Sequence, residues 1–121
     1  MVTEFHKDLF GSVYTVRIGT AKELGLDDKF SGDTDFHTKV IRIRTDVDTY
    51  GEPGRADTIR AKTLRHELYH AALYETGLLQ YCDDETLVSW LEVMTPKVET
   101  LYTDANYKLV ERTGCAQEKR A

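Results

Sequence analysis

Hydrophobic and polar positions divide the chain into an alternating first half and a helically patterned second half. Residues 11–20, G-S-V-Y-T-V-R-I-G-T, place Val13, Thr15, Arg17 and Gly19 on one face and Tyr14, Val16 and Ile18 on the other. That alternation predicts a strand with one apolar face. Residues 21–25 predict a short turn or helical fragment. Residues 26–36 carry four Asp around Ser31 and Gly32 and predict a loop. Residues 38–45, T-K-V-I-R-I-R-T, predict a second strand, with Ile41 and Ile43 opposite Arg42 and Arg44. Gly51, Pro53 and Gly54 then mark a loop over 46–57.

The second half changes period. From Thr58 to Glu75 there is no Pro or Gly, and Ala, Leu, Arg, Lys and Glu favour a helix. Asp57 is its expected N-cap and Gly77 its stop. A second helix is expected from Asp84 to Met94, where Pro96 ends it. Pro96 then suits the start of a third helix, running to Arg112 before Gly114. Residues 116–121 are expected to fray. No composition shift divides the chain, and 121 residues fit one domain. The expectation is an α+β fold: strands within 11–45, one long helix over 57–76 and C-terminal helices over 84–112. In it, a small antiparallel or mixed sheet packs on the long helix.

Within that helix, residues 66–70 read H-E-L-Y-H. Positions four apart share a helix face, so His66 and His70 can aim at one ion. Imidazole nitrogens suit zinc, which prefers near-tetrahedral geometry. Glu67, between them, is placed to reach a water on the metal and act as general base. Leu64, Leu68, Ala71 and Ala72 fall opposite the histidines, while Ile59 and Leu73 fall near them. Such a helix is apolar on two sides, and buried imidazoles there need partners.

A third ligand has to come from elsewhere. His6 and His37 lie upstream, and the acidic run Asp83, Asp84, Glu85 lies downstream. If the chain reverses near Gly77, the next helix returns across the first and brings its N-terminus to the metal. Glu85 is the expected ligand, with Val88 and Leu91 packing beneath it. Asp84 is the alternative ligand, or else the helix cap. Tyr69, Tyr74 and Tyr81 are candidates for packing or for stabilising an oxyanion. Trp90 is expected in the core.

Charge and composition narrow the partners. The net charge of -5, with basic residues scattered, argues against nucleic acid. Arg42 and Arg44 are expected as a solvated strand face. No apolar run is long enough to cross a membrane, and the first ten residues lack a secretory pattern, so a cytoplasmic location is expected. Cys82 and Cys115 are expected as free thiols, without zinc-ribbon spacing.

At these residues the chain resembles the zincin metallopeptidases, whose signature is H-E-x-x-H. No further His follows at the metzincin spacing, and the resemblance is closer to gluzincins, which take a Glu from a following helix. Residues 64–78, L-R-H-E-L-Y-H-A-A-L-Y-E-T-G-L, and 83–91, D-D-E-T-L-V-S-W-L, are similar to very small metallopeptidase-like proteins of bacteria, phages and mobile elements. The resemblance implies a minimal zincin fold hydrolysing a peptide or protein substrate. It implies His66, His70 and Glu85 as ligands of Zn2+ and Glu67 as general base. It also implies that the strand over 38–45 borders the cleft and pairs with the substrate backbone. The alternative is a non-catalytic, zinc-stabilised binding or regulatory module of the same fold.

Overall fold

Two antiparallel pairs and one parallel pair build a four-stranded sheet, on which one long helix lies. A computed structural model describes residues 1–114. In chain order the elements are β1 (Thr3–Leu9), β2 (Ser12–Gly19), α1 (Ala21–Leu24), β3 (Gly32–Asp35), β4 (Val40–Arg44), α2 (Arg55–Glu75), a 3-10 turn (Leu79–Tyr81) and α3 (Glu85–Thr113). The strand order is β1-β2-β4-β3, with β2 parallel to β4. The expected α+β class with a mixed sheet is therefore the observed one. Cys115 and residues 116–121 lie outside the described residues.

Alternation in β2 and β4 builds the main core as the pattern predicts. Tyr14, Val16, Ile41 and Ile43 are buried on one face of the sheet. Ala71 meets them, with Leu64 and Leu68 of α2 packed alongside. Burying each large aliphatic side chain is worth about 1.5–3 kcal/mol, and this cluster sets α2 against the sheet. The other side of α2 is apolar too. Leu73 packs with Cys82 and Val88, and Leu91 borders that cluster.

Several expectations are corrected. β1 was not legible, because it is an exposed edge strand with few apolar positions. Its pairing with β2, across a turn where Phe10 and Gly11 both have positive φ, creates it. Residues 32–35, expected as loop, form β3. Gly and Asp disfavour strands, but Asp33 lies directly opposite Arg42 in the register with β4, and the two side chains form an ion pair. Cross-strand pairs of opposite charge stabilise such a ladder. Arg42 also donates to the Leu24 carbonyl (2.8 Å) and Arg44 to the Asp28 carbonyl (2.7 Å), so these arginines tie loop to sheet rather than forming a bare solvated face.

The consequence for the site is a change of strand. β4 lies between β2 and β3, so the 38–45 segment offers no free edge. The edge strand beyond β4 is β3. It approaches α2 closely because residue 32 is glycine: a Cβ there would lie 2.6 Å from the Arg42 carbonyl oxygen and 2.8 Å from the Thr63 methyl.

The helix ends also differ from expectation. α2 starts at Arg55 behind Gly54, without a side-chain cap. Asp57 sits in the first turn and pairs with Arg60 instead. The stop is as expected: Gly77 has φ +92°, its N–H reaches the Tyr74 carbonyl (3.3 Å), and the Leu78 N–H reaches that of Leu73 (2.9 Å). Pro96 does not divide α3, which continues from Glu85 to Thr113. A proline removes one backbone donor and bends a helix without having to end it. Trp90, expected in the core, is 56% exposed. Among the described residues, no helix is long and apolar enough to cross a membrane.

Candidate metal centre

One helical turn on α2 and the first residue of α3 bring three ligand-type atoms together. The Nε2 atoms of His66 and His70 lie 3.2 Å apart. Glu85 closes the triangle, with one carboxylate oxygen 2.9 Å from Nε2 of His66 and the other 2.8 Å from Nε2 of His70. The connection that delivers Glu85 is short. Gly77 reverses the chain, the 3-10 turn follows, and Asp84 caps α3 by accepting from the Leu87 N–H at 2.9 Å. Asp84 is thus occupied as the cap, and Glu85 stands beside the imidazoles.

The remaining ring nitrogens decide the protonation pattern. Nδ1 of His70 faces the Cys82 carbonyl oxygen. A carbonyl only accepts, so Nδ1 carries the hydrogen and Nε2 of the neutral ring presents a lone pair. Nδ1 of His66 faces Oε2 of Glu92 at 3.4 Å. Nε2 of the same ring faces Glu85 at 2.9 Å, so His66 has a carboxylate at each ring nitrogen, and partners of this kind orient metal-binding histidines. Two ring nitrogens and a carboxylate therefore converge on one point. Such atoms repel one another at this separation unless a cation or a proton joins them. A tetrahedral ion with ligands at about 2.0–2.1 Å keeps its ligand atoms about 3.3 Å apart, close to the spacing found. His66, His70 and Glu85 could hold a metal ion.

The electrostatics agree with that geometry. Burial pulls His66 down, but the Glu85 contact, Glu67 and Glu92 outweigh it and leave its pKa above the ordinary value. The ring is thus held in a strongly anionic setting, where a bound ion would displace any proton.

Glu67 lies beside this group and is 6% exposed. Its Oε1 accepts a 2.9 Å hydrogen bond from the Thr34 hydroxyl of the edge strand. Burial raises its pKa, opposed by the Thr34 bond and the two imidazoles. A carboxylate poised above its usual range is suited to accept and return a proton near neutral pH. All five side chains, Glu67, His66, His70, Glu85 and Glu92, line a cleft of about 580 Å³, bordered by Gly32, Asp33 and Thr34 of β3.

Other candidates fall away from this cleft. None of Tyr69, Tyr74 or Tyr81 lines it. Tyr74 stacks on Phe36, with ring centroids 4.7 Å apart, which is packing. His6 pairs with the Thr15 hydroxyl at 3.0 Å. His37 lines a second hollow, with Arg17 and Arg42, and not the cleft. Cys82 is a free, buried thiol whose sulfur contacts the Leu79 carbonyl.

Sequence reasoning missed Glu92 and Thr34. Glu92 was detectable: it lies two turns after Glu85 on the same side of α3, among residues that pack. Thr34 had no such signal, because its strand was not legible. No family model, curated protein or solved structure matches this chain.

Proposed function

We propose that this chain is a small zinc-dependent metallopeptidase of the zincin type. His66, His70 and Glu85 hold the ion, and Glu67 is the general base. The observation that carries this reading is the convergence of two Nε2 atoms, 3.2 Å apart, on the two oxygens of Glu85 at 2.8 and 2.9 Å, next to a buried carboxylate. Two nitrogens and one carboxylate oxygen are a donor set that zinc takes in catalytic sites, with one position left open.

When bound, zinc supplies a Lewis acid and lowers the pKa of water towards about 7. The chain supplies the rest. Glu67 takes a proton from the attacking water and returns it to the leaving amine. Glu92 and the Cys82 carbonyl hold the imidazoles in register. The outer edge of β3 offers backbone N–H and C=O groups to an extended peptide, which docks as an added strand. Thr34 ties that edge to Glu67, so the docked backbone and the base keep a fixed relation.

The test is Glu67→Gln, assayed on a pool of short unstructured peptides with cleavage read by mass spectrometry. Turnover should fall by about 10²–10⁴-fold, while each chain still binds one zinc. A variant with full activity removes Glu67 as the base. A wild-type protein that cleaves nothing, with His66→Ala unfolding the chain, would point to a zinc-stabilised binding module instead.

A further inference from the structure

The cleft is not uniformly acidic. Besides Glu67, Glu85, Glu92 and Asp83, its lining includes Lys29 and Lys62, together with Phe30 and Ile59. Lys62 lies one turn before His66 on α2, and Lys29 lies in the loop that leads into β3. Two separate elements thus bring a lysine to the same cleft, both on the side from which α2 runs towards His66. Among the described residues neither side chain has an ion-pair or hydrogen-bond partner. In a chain of net charge -5, most of whose other cations near the sheet are paired, two free ones in the cleft are a distinct feature.

The direction of β3 says which part of a substrate would meet them. A peptide added antiparallel, the more stable pairing, runs from the Asp35 end of β3 towards Gly32. Thr34 contacts Glu67, so the bond to be cut lies near that point. Beyond it the peptide continues past Gly32 towards Phe30 and Lys29. The side of the substrate that departs with the new amine therefore faces the lysines.

We propose that this part of the cleft selects a carboxylate on the leaving-group side of the substrate, held by Lys29 and Lys62. The inference rests on the metallopeptidase reading above. A charge-assisted hydrogen bond to each ammonium provides the attraction, and Phe30 and Ile59 provide an apolar floor for the intervening carbons. A substrate with a basic residue there meets like charge and is rejected.

The test uses two hydroxamates of equal length, one ending in a carboxylate and the other in the corresponding amide. Both are titrated calorimetrically into the zinc-loaded protein. The carboxylate form should bind about tenfold tighter. That advantage should vanish in the Lys29→Met/Lys62→Met double variant, which should bind the amide form as the wild type does. Both lysines are exposed, so the double variant should keep the wild-type melting temperature. Equal affinities in the wild type, or an advantage that survives in the double variant, overturn the proposal. If neither hydroxamate binds, the metal reading itself fails and takes this proposal with it.

Two peptides then identify the source of the carboxylate: an amidated peptide with an internal Glu, and a peptide with a free C-terminus after a neutral residue. Faster cleavage of the first than of a neutral amidated control marks a pocket for acidic side chains. Faster cleavage of the second marks trimming from the C-terminus. Advantage for neither overturns the proposal.

Discussion

Two polar clusters stand less than two turns apart on the same helix, and they are built on opposite rules. At the C-terminal end of α2, the Glu75 carboxylate accepts from the Ser12 hydroxyl (2.6 Å), the Tyr14 hydroxyl (2.7 Å) and the Lys39 ammonium (2.6 Å). Each acceptor there has its donors, and the lysine supplies the opposite charge. At the centre of α2, His66 and His70 face each other and the Glu85 carboxylate through their Nε2 atoms. The first cluster is complete as folded and ties the helix to the sheet. The second brings two imidazoles and a carboxylate together as a group that could hold a metal ion.

The largest test of this contrast removes the ion. If the central cluster needs a metal, a chelator should destabilise the protein. With free ion at about a thousand times Kd, the lost stabilisation is about 4 kcal/mol, or a fall in Tm of about 10 °C or more. His66→Ala should abolish the response to added zinc, whereas changes at Glu75 should leave it intact. Zinc affinity should also weaken as pH falls through the raised pKa of His66, because proton and metal compete for the ring. Thermal scans with and without chelator check this, and a Tm indifferent to the chelator would erase the distinction between the clusters.

Next in size is the Glu75 cluster. Glu75→Ala should cost about 2 kcal/mol, because three partly buried donors lose their shared acceptor. Zinc content should not change. The Lys39 contact first, then Ser12 and Tyr14, push the Glu75 pKa down to about 2. An unfolded glutamate titrates near about 4.3. Stability from Glu75 is therefore present above that value and lost as pH falls towards 2, where the unfolded chain binds the extra proton. Urea midpoints measured across this window should drop in the wild type and flatten in Glu75→Ala.

Gly32→Ala comes third. The added methyl would press on the Arg42 carbonyl oxygen and the Thr63 side chain. Overpacking of this kind costs about 1–2 kcal/mol, because the edge strand must move off α2. Activity should fall more than stability, since the same strand carries Thr34. A Gly32→Ala protein with wild-type turnover would show that strand position and chemistry are uncoupled.

How much of this was readable in the chain follows from how local each interaction is. The spacing of His66, Glu67 and His70 is set by one helical turn, so it could be read directly. Glu85 required only that Gly77 reverse the chain, and a positive-φ glycine after a long helix carries that information. β3 could not be read, because Gly-Asp-Thr-Asp has poor strand propensity and is held by the Asp33–Arg42 pair and by Gly32 fitting against α2. The strand assigned to the cleft was consequently one position too far inside the sheet. Pro96 misled for a related reason: its lost donor was judged as a helix end, although the helix already had its first three turns anchored through Val88 and Glu92.

The finest test concerns the hydroxyl contact between the edge strand and the Glu67 carboxylate. Thr34→Val keeps the shape of the side chain but deletes the hydroxyl that donates to Glu67. The hydroxyl bond lowers the Glu67 pKa, while burial raises it. Losing the bond should therefore move that pKa further up. A base with a higher pKa is protonated over more of the acid range, so the acid limb of kcat/KM should shift to higher pH. Turnover on the alkaline side should change by only a few fold, because Glu67 keeps its place beside the histidines. Zinc content and Tm should stay near wild type, which separates this variant from the three above. A shift of the acid limb in the opposite direction would mean that Thr34 does not tune Glu67, and the edge strand would then serve only to bind.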